Sequence, residues 1–305
     1  MTLTIPLLLF LTHTILAHPA SRTVSVTSSS KAGIAGGGDA DTDMAQFTTT
    51  GKVSWYYTWS LSSVDTDLEF VPMLWGEKDV TQWTDPSDGI NATIAQRKPT
   101  AVLGMNEPQE TGQSNLTPQQ GADMWKTYIE PLHSQGLRLG SPAPSSAPSG
   151  KTWIQDFLTA CNGGCTVDFI ALHYYDVNAT KFAEYLTDFH DTFQRPIWVT
   201  EWACQNFNNG PQSFMDAQDW VERYAWFGIM RDLQGVNPDD AMMNSNGQIT
   251  DLGKQYIGTE APKTSGAPPS GTGTAGLPGL PTNGGIVSQV RWWTSWSIIL
   301  VLYLL

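Results

Sequence analysis

The stretch from residue 101 to 108 reads Ala-Val-Leu-Gly-Met-Asn-Glu-Pro, and the stretch from 197 to 203 reads Ile-Trp-Val-Thr-Glu-Trp-Ala. Each is a short apolar run, typical of a buried strand, that ends near a carboxylate: Glu107 in the first and Glu201 in the second. Parallel barrels carry catalytic groups at the carboxyl ends of several strands. The two stretches therefore predict strands of an α/β fold, a (β/α)8 TIM barrel, with both glutamates at its mouth.

Eight strand candidates, separated by helical patterns or short loops, support this fold class. The first, 31–36, is short and rich in glycine, and without it the remaining seven strands would leave the barrel open. The later candidates are 53–59, 70–75, 101–107, 137–143, 167–175, 196–203 and 225–230. Helical periodicity predicts helices over 119–135, 153–160, 182–193 and 214–224.

Strand alternation predicts which side chains accompany the glutamates into the barrel. Strict alternation turns Val199 inward with Glu201 and turns Trp198 outward, towards the helices. On the other strand it turns Met105 inward with Glu107. The glutamates occupy the fourth and seventh strand candidates, so a ring of eight strands places them across the mouth from each other.

Two carboxyl groups facing each other at a barrel mouth indicate glycosidic bond cleavage. One protonates the leaving oxygen while the other attacks the sugar carbon, and retention of configuration requires a separation of about 5–5.5 Å. A single glutamate near a strand end is more often a solvated or salt-bridged residue. The matching contexts of Glu107 and Glu201 favour the paired role.

The composition narrows the class of ligand. A formal net charge of −13 argues against a nucleic-acid partner and suits a neutral ligand. Only 15% of the 305 residues are charged, whereas 13 Trp, 11 Phe and 9 Tyr supply more aromatic surface than a core of this size usually requires. Sugar rings stack on such aromatics, so a polysaccharide is the expected partner; no metal or cofactor is implied.

A single catalytic domain is expected over 31–258, between two terminal regions of different composition. The apolar run within 1–17 predicts a secretory signal peptide, followed by a flexible segment over 18–30. The Pro/Gly/Ser/Thr-rich stretch 259–283 predicts a linker. An apolar tail that stops at the terminus makes 284–305 a glycosylphosphatidylinositol (GPI) anchor signal.

Asn283 is the predicted attachment residue of that anchor, with a single tail-anchored membrane span as the alternative. Three Asn-X-Thr sequons, at Asn91, Asn115 and Asn178, predict N-glycosylation and fit passage through a secretory pathway. The expected protein is a secreted monomer at the cell surface, attached to membrane or wall only through the lipid.

Three cysteines leave at least one thiol unpaired. Cys161 and Cys165 flank a turn-rich segment, and a secreted context predicts a disulfide between them. Cys204 follows Glu201 at the opposite end of the barrel, beyond the roughly 7 Å between Cα atoms that a bridge allows. We therefore expect Cys204 to be a free, buried thiol.

Six motifs in order resemble fungal members of glycoside hydrolase family 128, over residues 31–257. They are Val-Ser-Trp-Tyr-Tyr-Thr-Trp (53–59), Phe-Val-Pro-Met-Leu-Trp-Gly (70–76), Leu-Gly-Met-Asn-Glu-Pro-Gln (103–109), Gly-Ser-Pro-Ala (140–143), Asp-Phe-Ile-Ala-Leu-His-Tyr-Tyr (168–175) and Trp-Val-Thr-Glu-Trp-Ala-Cys (198–204). The resemblance implies a (β/α)8 barrel and a retaining endo-β-1,3-glucanase.

The resemblance also assigns roles to individual residues. It implies that Glu107 is the acid/base and Glu201 the nucleophile, and that Asn106 binds the sugar 2-hydroxyl. Strict alternation would point Asn106 away from Glu107, so a distortion at the strand end is required. His173 and Tyr175 share one parity, so both can face the site.

Four tryptophans complete the expected substrate-binding set. Trp59, Trp75 and Trp226 lie at strand ends, where they are either sugar platforms or ordinary core residues. Trp202 directly follows the nucleophile, and the resemblance assigns it a role in stacking.

The expected function is endo-hydrolysis of cell-wall β-1,3-glucan by double displacement through two glutamates. A transglycosylase that remodels the wall shares the covalent intermediate but passes it to a sugar instead of water. A non-catalytic glycan-binding wall protein is the alternative from another class.

The tail makes the first testable prediction. The mature protein is expected to carry a glycolipid at its C-terminus and to lack residues 292–305, because the apolar tail follows a linker that cannot fold. Phospholipase release from membranes and a terminal-peptide mass ending near Asn283 check this. Recovery of Leu305 from the mature protein would contradict it.

Overall fold

The computed structural model describes residues 31–36, 41–203, 210–233 and 236–259. Its strands follow the sequence-predicted order and are all parallel. They are β1 (Ala32–Ala35), β2 (Val53–Tyr57), β3 (Glu69–Phe70), β4 (Ala101–Leu103), β5 (Arg138–Gly140), β6 (Ile170–Tyr175), β7 (Ile197–Ala203) and β8 (Val221–Phe227).

The strands close into a ring, which confirms the predicted barrel. Six of them pair in the order β3-β2-β1-β8-β7-β6, and β4 pairs with β5. Isolated bridges between Met73 and Leu103 and between Gly140 and Phe169 join the two sheets at both seams. The short, glycine-rich β1 pairs with both β2 and β8, so the weakest strand candidate completes the ring.

Helices cover the outside of the barrel. They are α1 (Asp41–Ala45), α2 (Val80–Trp83), α3 (Ile90–Arg97), α4 (Pro118–Met124), α5 (Glu130–His133), α6 (Pro148–Cys161), α7 (Ala179–Phe193), α8 (Gly210–Ala217) and α9 (Asp251–Tyr256), with 3-10 turns at Glu77–Asp79 and Pro238–Asp240 and a π-helix at Trp125–Ile129. None of the helices in the described ranges is long and apolar enough to cross a membrane.

Two of the predicted helices differ from the observed ones. The helix predicted over 119–135 is divided by the π-helix between α4 and α5. The helix predicted over 214–224 ends at Ala217, because a turn follows in which the Val221 amide donates to the Gln218 carbonyl. Val221 then begins β8 opposite Ile197, so the last strand starts four residues earlier than predicted.

The barrel interior corrects the prediction from alternation on β7. Trp198 packs inside the barrel with Trp55 and Leu103, whereas Val199 belongs to the layer between strands and helices. The register explains this, because Val199 pairs with Leu172 and the next pair is Glu201 with His173. Thr200 is thus an extra, bulged residue, and it lets Trp198 and Glu201 both face inward.

The end of β4 is distorted in a different way. Leu103 faces the interior, but Met105 packs in the outer layer, against Gly121 of α4. The strand ends at Leu103, and only an isolated bridge between Asn106 and Ala143 continues it. The inward orientation predicted for Met105 is therefore wrong, since strict alternation stops before this residue.

Cys161 and Cys165 form a disulfide at the C-terminal end of α6, with their Cα atoms 5.5 Å apart. Cys204 lies outside the described residues, so its expected free thiol stays a prediction. The predicted leader, linker and anchor segments also lie outside the described ranges, apart from the first linker residue.

Gly33 of β1 provides a stability test of the interior. A Cβ here would overlap the indole of Trp55, which is held by a 3.0 Å hydrogen bond from its Nε1 to the Lys31 carbonyl. Gly33→Ala is expected to lower the free energy of unfolding by about 1–3 kcal/mol through overpacking. Gly112→Ala is the control, because nothing lies within 4 Å of its Cβ position. Equal urea midpoints for the two variants would contradict the packing.

Candidate active site

Glu107 and Glu201 meet at the barrel mouth. Glu201 lies on β7, and Glu107 follows the end of β4. The φ of Glu107 is 38°, a left-handed backbone conformation that residues other than glycine rarely adopt. The Glu107 amide donates to the Ala143 carbonyl at 2.7 Å, which fixes this turn to the segment after β5. One oxygen of each carboxylate and a ring nitrogen of His173 lie within 4.8 Å of one another.

His173 lies between the two carboxylates and is fully buried. Its Nδ1 is 2.9 Å from Oε1 of Glu107, a hydrogen bond, and its Nε2 is 3.4 Å from Oε1 of Glu201, an electrostatic contact. Burial lowers the pKa of His173, but the charge of Glu201 and the hydrogen bond and charge of Glu107 outweigh it, so the net pKa is raised.

Glu201 is surrounded by donors. Trp59 donates from Nε1 to Oε1 at 2.7 Å, and the Tyr175 hydroxyl donates to Oε2 at 2.6 Å. The Tyr57 hydroxyl contacts Oε1 at 3.4 Å and donates to the Thr200 carbonyl at 3.0 Å. These contacts hold the orientation of the carboxylate.

The two tyrosines stay protonated donors. Burial raises the pKa of Tyr57 and of Tyr175 well above the ordinary value, and the neighbouring charge of Glu201 raises both further. Since neither hydroxyl can ionise near neutral pH, both remain able to donate to Glu201 throughout the working range.

Asn106 is buried beside Glu107, as the expected strand-end distortion allows. Its Nδ2 donates to Oε1 of Gln113 at 3.1 Å, and its buried Oδ1 has no hydrogen-bond partner among the described residues. Gln113 thereby orients the Asn106 amide.

The predicted tryptophans divide into two groups. Trp59 and Trp75 are half-buried and pack against the interior cluster near the mouth. The Lys78 ammonium lies 3.5 Å from the centroid of the Trp75 ring, on one of its faces.

Trp202 and Trp226 belong to the buried layer outside the strands. The stacking role expected for Trp202 is therefore wrong, and of the two alternatives for Trp226 the structure shows the core residue. Their rings contact each other with centroids 4.5 Å apart, and Trp226 donates from Nε1 to the Asp240 carbonyl. The cause is parity, because the bulge at Thr200 turns Glu201 inward and its neighbour Trp202 outward.

Tyr57 and Gln113 are site residues that the sequence reasoning did not select. Tyr57 shares its parity with Trp55 and Trp59, and that alternation could have indicated a third inward aromatic. No sequence pattern indicates Gln113, because it lies in a loop and contacts Asn106 only through the conformation of that loop.

The three sequon asparagines are exposed. Asn178 caps α7 by accepting from the Thr180 and Lys181 amides through Oδ1, which leaves its Nδ2 unused by the cap. Asn115 has a φ of 50°, and Asn91 lies in the first turn of α3. Their glycosylation stays a prediction, and Asn283 lies outside the described residues.

The same three groups, Glu107, His173 and Glu201, have a spacing that a metal ion could bridge. A metal would have to compete for the imidazole, because each ring nitrogen already faces a carboxylate.

Comparison with known proteins identifies the family of the chain. Residues 33–256 match the model of the family described as glycosyl hydrolase catalytic core. The chain belongs to this family. It is 30% identical over 223 residues to alkali-sensitive linkage protein 1 of Schizosaccharomyces pombe. The match covers 67% of this chain but only 40% of the relative's length.

Solved structures confirm the resemblance to glycoside hydrolase family 128. One is a subgroup III curdlan-specific exo-β-1,3-glucanase from Blastomyces gilchristii in complex with glucose. This chain is 30% identical to it with a TM-score of 0.61, and the match covers 75% of this chain and 97% of that one. This chain is 25% identical, also with a TM-score of 0.61, to a subgroup I endo-β-1,3-glucanase from Amycolatopsis mediterranei in complex with laminaritriose, covering 76% and 100%.

His173 makes the stability of the enzyme depend on pH. Its folded pKa is raised above the unfolded value of 6.5, so its stabilising contribution is fully present below 6.5 and is lost as pH rises through the folded pKa. The difference in unfolding free energy between wild type and His173→Gln is therefore expected to shrink as pH rises. Urea titrations from acidic to alkaline pH check this, and a difference that grows with pH would contradict it.

Proposed function

We propose that this protein is a retaining glycoside hydrolase that cleaves β-1,3-glucan by double displacement at Glu107 and Glu201. The observation that carries the proposal is the separation of the two carboxylates, which have one oxygen each within 4.8 Å. Retaining enzymes hold their carboxyl groups about 5–5.5 Å apart, whereas inverting enzymes leave room for a water molecule at about 6.5–9.5 Å.

In the first step, Glu107 gives its proton to the glycosidic oxygen as the bond to the anomeric carbon breaks. Glu201 attacks that carbon from the opposite side and forms a covalent glycosyl-enzyme. In the second step, Glu107 accepts a proton from water, the water oxygen attacks the same carbon, and the electron pair of the ester bond returns to Glu201.

The surrounding groups support this division of roles. Glu201 accepts hydrogen bonds from Trp59 and Tyr175, which hold its carboxylate oxygens in a fixed orientation, as attack on the anomeric carbon requires. Glu107 has only His173 as a side-chain hydrogen-bond partner within the described part of the chain, and its side chain is 12% exposed. Glu107 therefore retains the access to solvent that a proton donor and acceptor needs.

The substrate class rests on the relatives. A structure from Blastomyces gilchristii is a curdlan-specific exo-enzyme with bound glucose, and one from Amycolatopsis mediterranei is an endo-enzyme with bound laminaritriose. Both act on β-1,3-glucan, so the same backbone is proposed here. Endo action is proposed from the motif resemblance. An endo-enzyme releases a range of oligosaccharides from laminarin, whereas an exo-enzyme releases one small product.

The proposed setting is the cell surface, where a secreted, GPI-anchored monomer would act on wall glucan. It is supported by the apolar runs near both ends of the sequence and by the Pro/Gly/Ser/Thr-rich stretch before the second of them. A transglycosylase remains the second candidate, because the glycosyl-enzyme that Glu201 forms reacts equally with a sugar hydroxyl. Elongated oligosaccharides from laminari-oligosaccharide substrates would identify that activity.

The proposed roles predict unequal effects of two substitutions. Glu201→Gln is expected to abolish turnover of laminarin, because no covalent intermediate forms. Glu107→Gln is expected to lower turnover roughly 10²- to 10⁴-fold. On an aryl glycoside with a good leaving group, the glycosylation step of the Glu107→Gln variant should stay fast, because that step then needs little acid assistance.

Circular dichroism and product analysis on laminarin, β-1,4-glucan and mannan provide the controls. Both variants should fold like wild type, and EDTA should leave turnover unchanged, because the proposed steps use only carboxylates and water. Near wild-type turnover by both variants on β-1,3-glucan would refute the assignment, and inactivity of the wild type on all glycans would favour a glycan-binding protein.

A further inference from the structure

We propose that Trp59 is a positioning residue for the nucleophile, and that its indole N–H restores Glu201 when the glycosyl-enzyme breaks down. This inference rests on the proposed function and replaces the sugar-platform role expected from the sequence. Trp59 makes the shortest contact to Oε1 of Glu201, at 2.7 Å, whereas Tyr57 and His173 each lie 3.4 Å from that oxygen.

The backbone at Trp59 is strained in a way that serves this contact. Its φ is 56°, in the left-handed region that bulky residues rarely adopt. Such strain persists only where the surroundings enforce it, and it concentrates at functional sites.

Side chains on both sides of Trp59 enforce the turn. The Thr58 hydroxyl donates to the Ser62 carbonyl at 2.6 Å and lies 3.2 Å from the Ser60 hydroxyl. The Ser60 hydroxyl also accepts from the Ser62 amide at 3.0 Å, while the Met73 amide donates to the Ser60 carbonyl and joins the turn to the segment after β3.

The indole itself is clamped by its neighbours. Tyr57 and Phe227 meet it edge to face, with interplanar angles of 62° and 66°. Gly36 lies beneath it with a φ of 120°, and a Cβ at this position would lie 3.8 Å from Cζ3 of Trp59 and 3.2 Å from the Ile229 carbonyl oxygen. A ring held by two aromatic neighbours and a glycine is suited to aiming its N–H at a fixed point.

The chemical consequence falls on the second step of the reaction. While the ester exists, Glu201 carries no full charge and its hydrogen bonds are weak. When the ester bond breaks, the electron pair returns to the carboxylate, and a pre-aimed N–H stabilises this developing charge. The leaving ability of Glu201 therefore depends on Trp59, whereas binding of the glucan does not.

Trp59→Phe removes the N–H and keeps an aromatic ring. We expect it to slow deglycosylation about 10- to 100-fold, the range for loss of a hydrogen bond to a charged group. With an activated aryl laminarioside, the variant should accumulate glycosyl-enzyme that intact-protein mass spectrometry detects, with KM unchanged or lowered.

Two matched substitutions separate positioning from other effects. Trp83→Phe removes an indole hydrogen bond to the Tyr128 carbonyl outside the site, so it tests general destabilisation and should not accumulate glycosyl-enzyme. Trp75→Phe alters an aromatic at the mouth that, within the described residues, donates no hydrogen bond to either glutamate, so a change in KM alone is expected. A Trp59→Phe variant that raises KM without accumulating intermediate would overturn the inference.

Failure of the proposed function gives a different result. If wild type cleaves no glucan, crystal structures of wild type and Trp59→Phe still compare the orientation of the Glu201 carboxylate. A carboxylate that turns away from its wild-type position in the variant supports the positioning role, and identical positions refute it whatever the substrate.

Discussion

The bulge at Thr200 is the constraint on which the active site depends. A regular strand that buries Trp198 in the barrel would turn the side chain at position 201 towards the helices. The extra residue reverses that parity, so one strand supplies both the interior packing and the proposed nucleophile, Glu201. The Tyr57 hydroxyl donates to the Thr200 carbonyl, and this hydrogen bond from β2 ties the bulge to a second strand.

On the N-terminal side of the bulge, Trp198 connects the site to residues deeper in the barrel interior. Its Nε1 donates to Oε2 of Glu222 at 2.8 Å, and Glu222 also pairs with Arg138. The Arg223 guanidinium lies over the Trp198 ring, 4.5 Å from its centroid, and pairs with Glu69. Both ion pairs therefore restrain the inward residue that precedes Glu201 on β7.

Most of the fold could be predicted from the sequence, because the eight strand candidates occur along the chain in the order that a barrel requires. It also indicated both glutamates, since a carboxylate at a strand end is a local signal. The orientation of Val199, Met105 and Trp202 could not be predicted, because a bulge and a broken strand change parity without altering composition. The helix predicted over 214–224 failed for a related reason: pairing with Ile197 outweighs helical periodicity at Val221.

The ammonium of Lys78 gives the Trp75 ring a partner before any sugar arrives. A cation over an exposed aromatic face is stabilised by about 0.5–1 kcal/mol. A saccharide that stacks on this face must first displace the ammonium, which then returns to water. For a glucan of the proposed kind, the affinity contributed by Trp75 on that side would be the difference between two similar attractions. It would be smaller than the affinity contributed by an indole with no cation on its face.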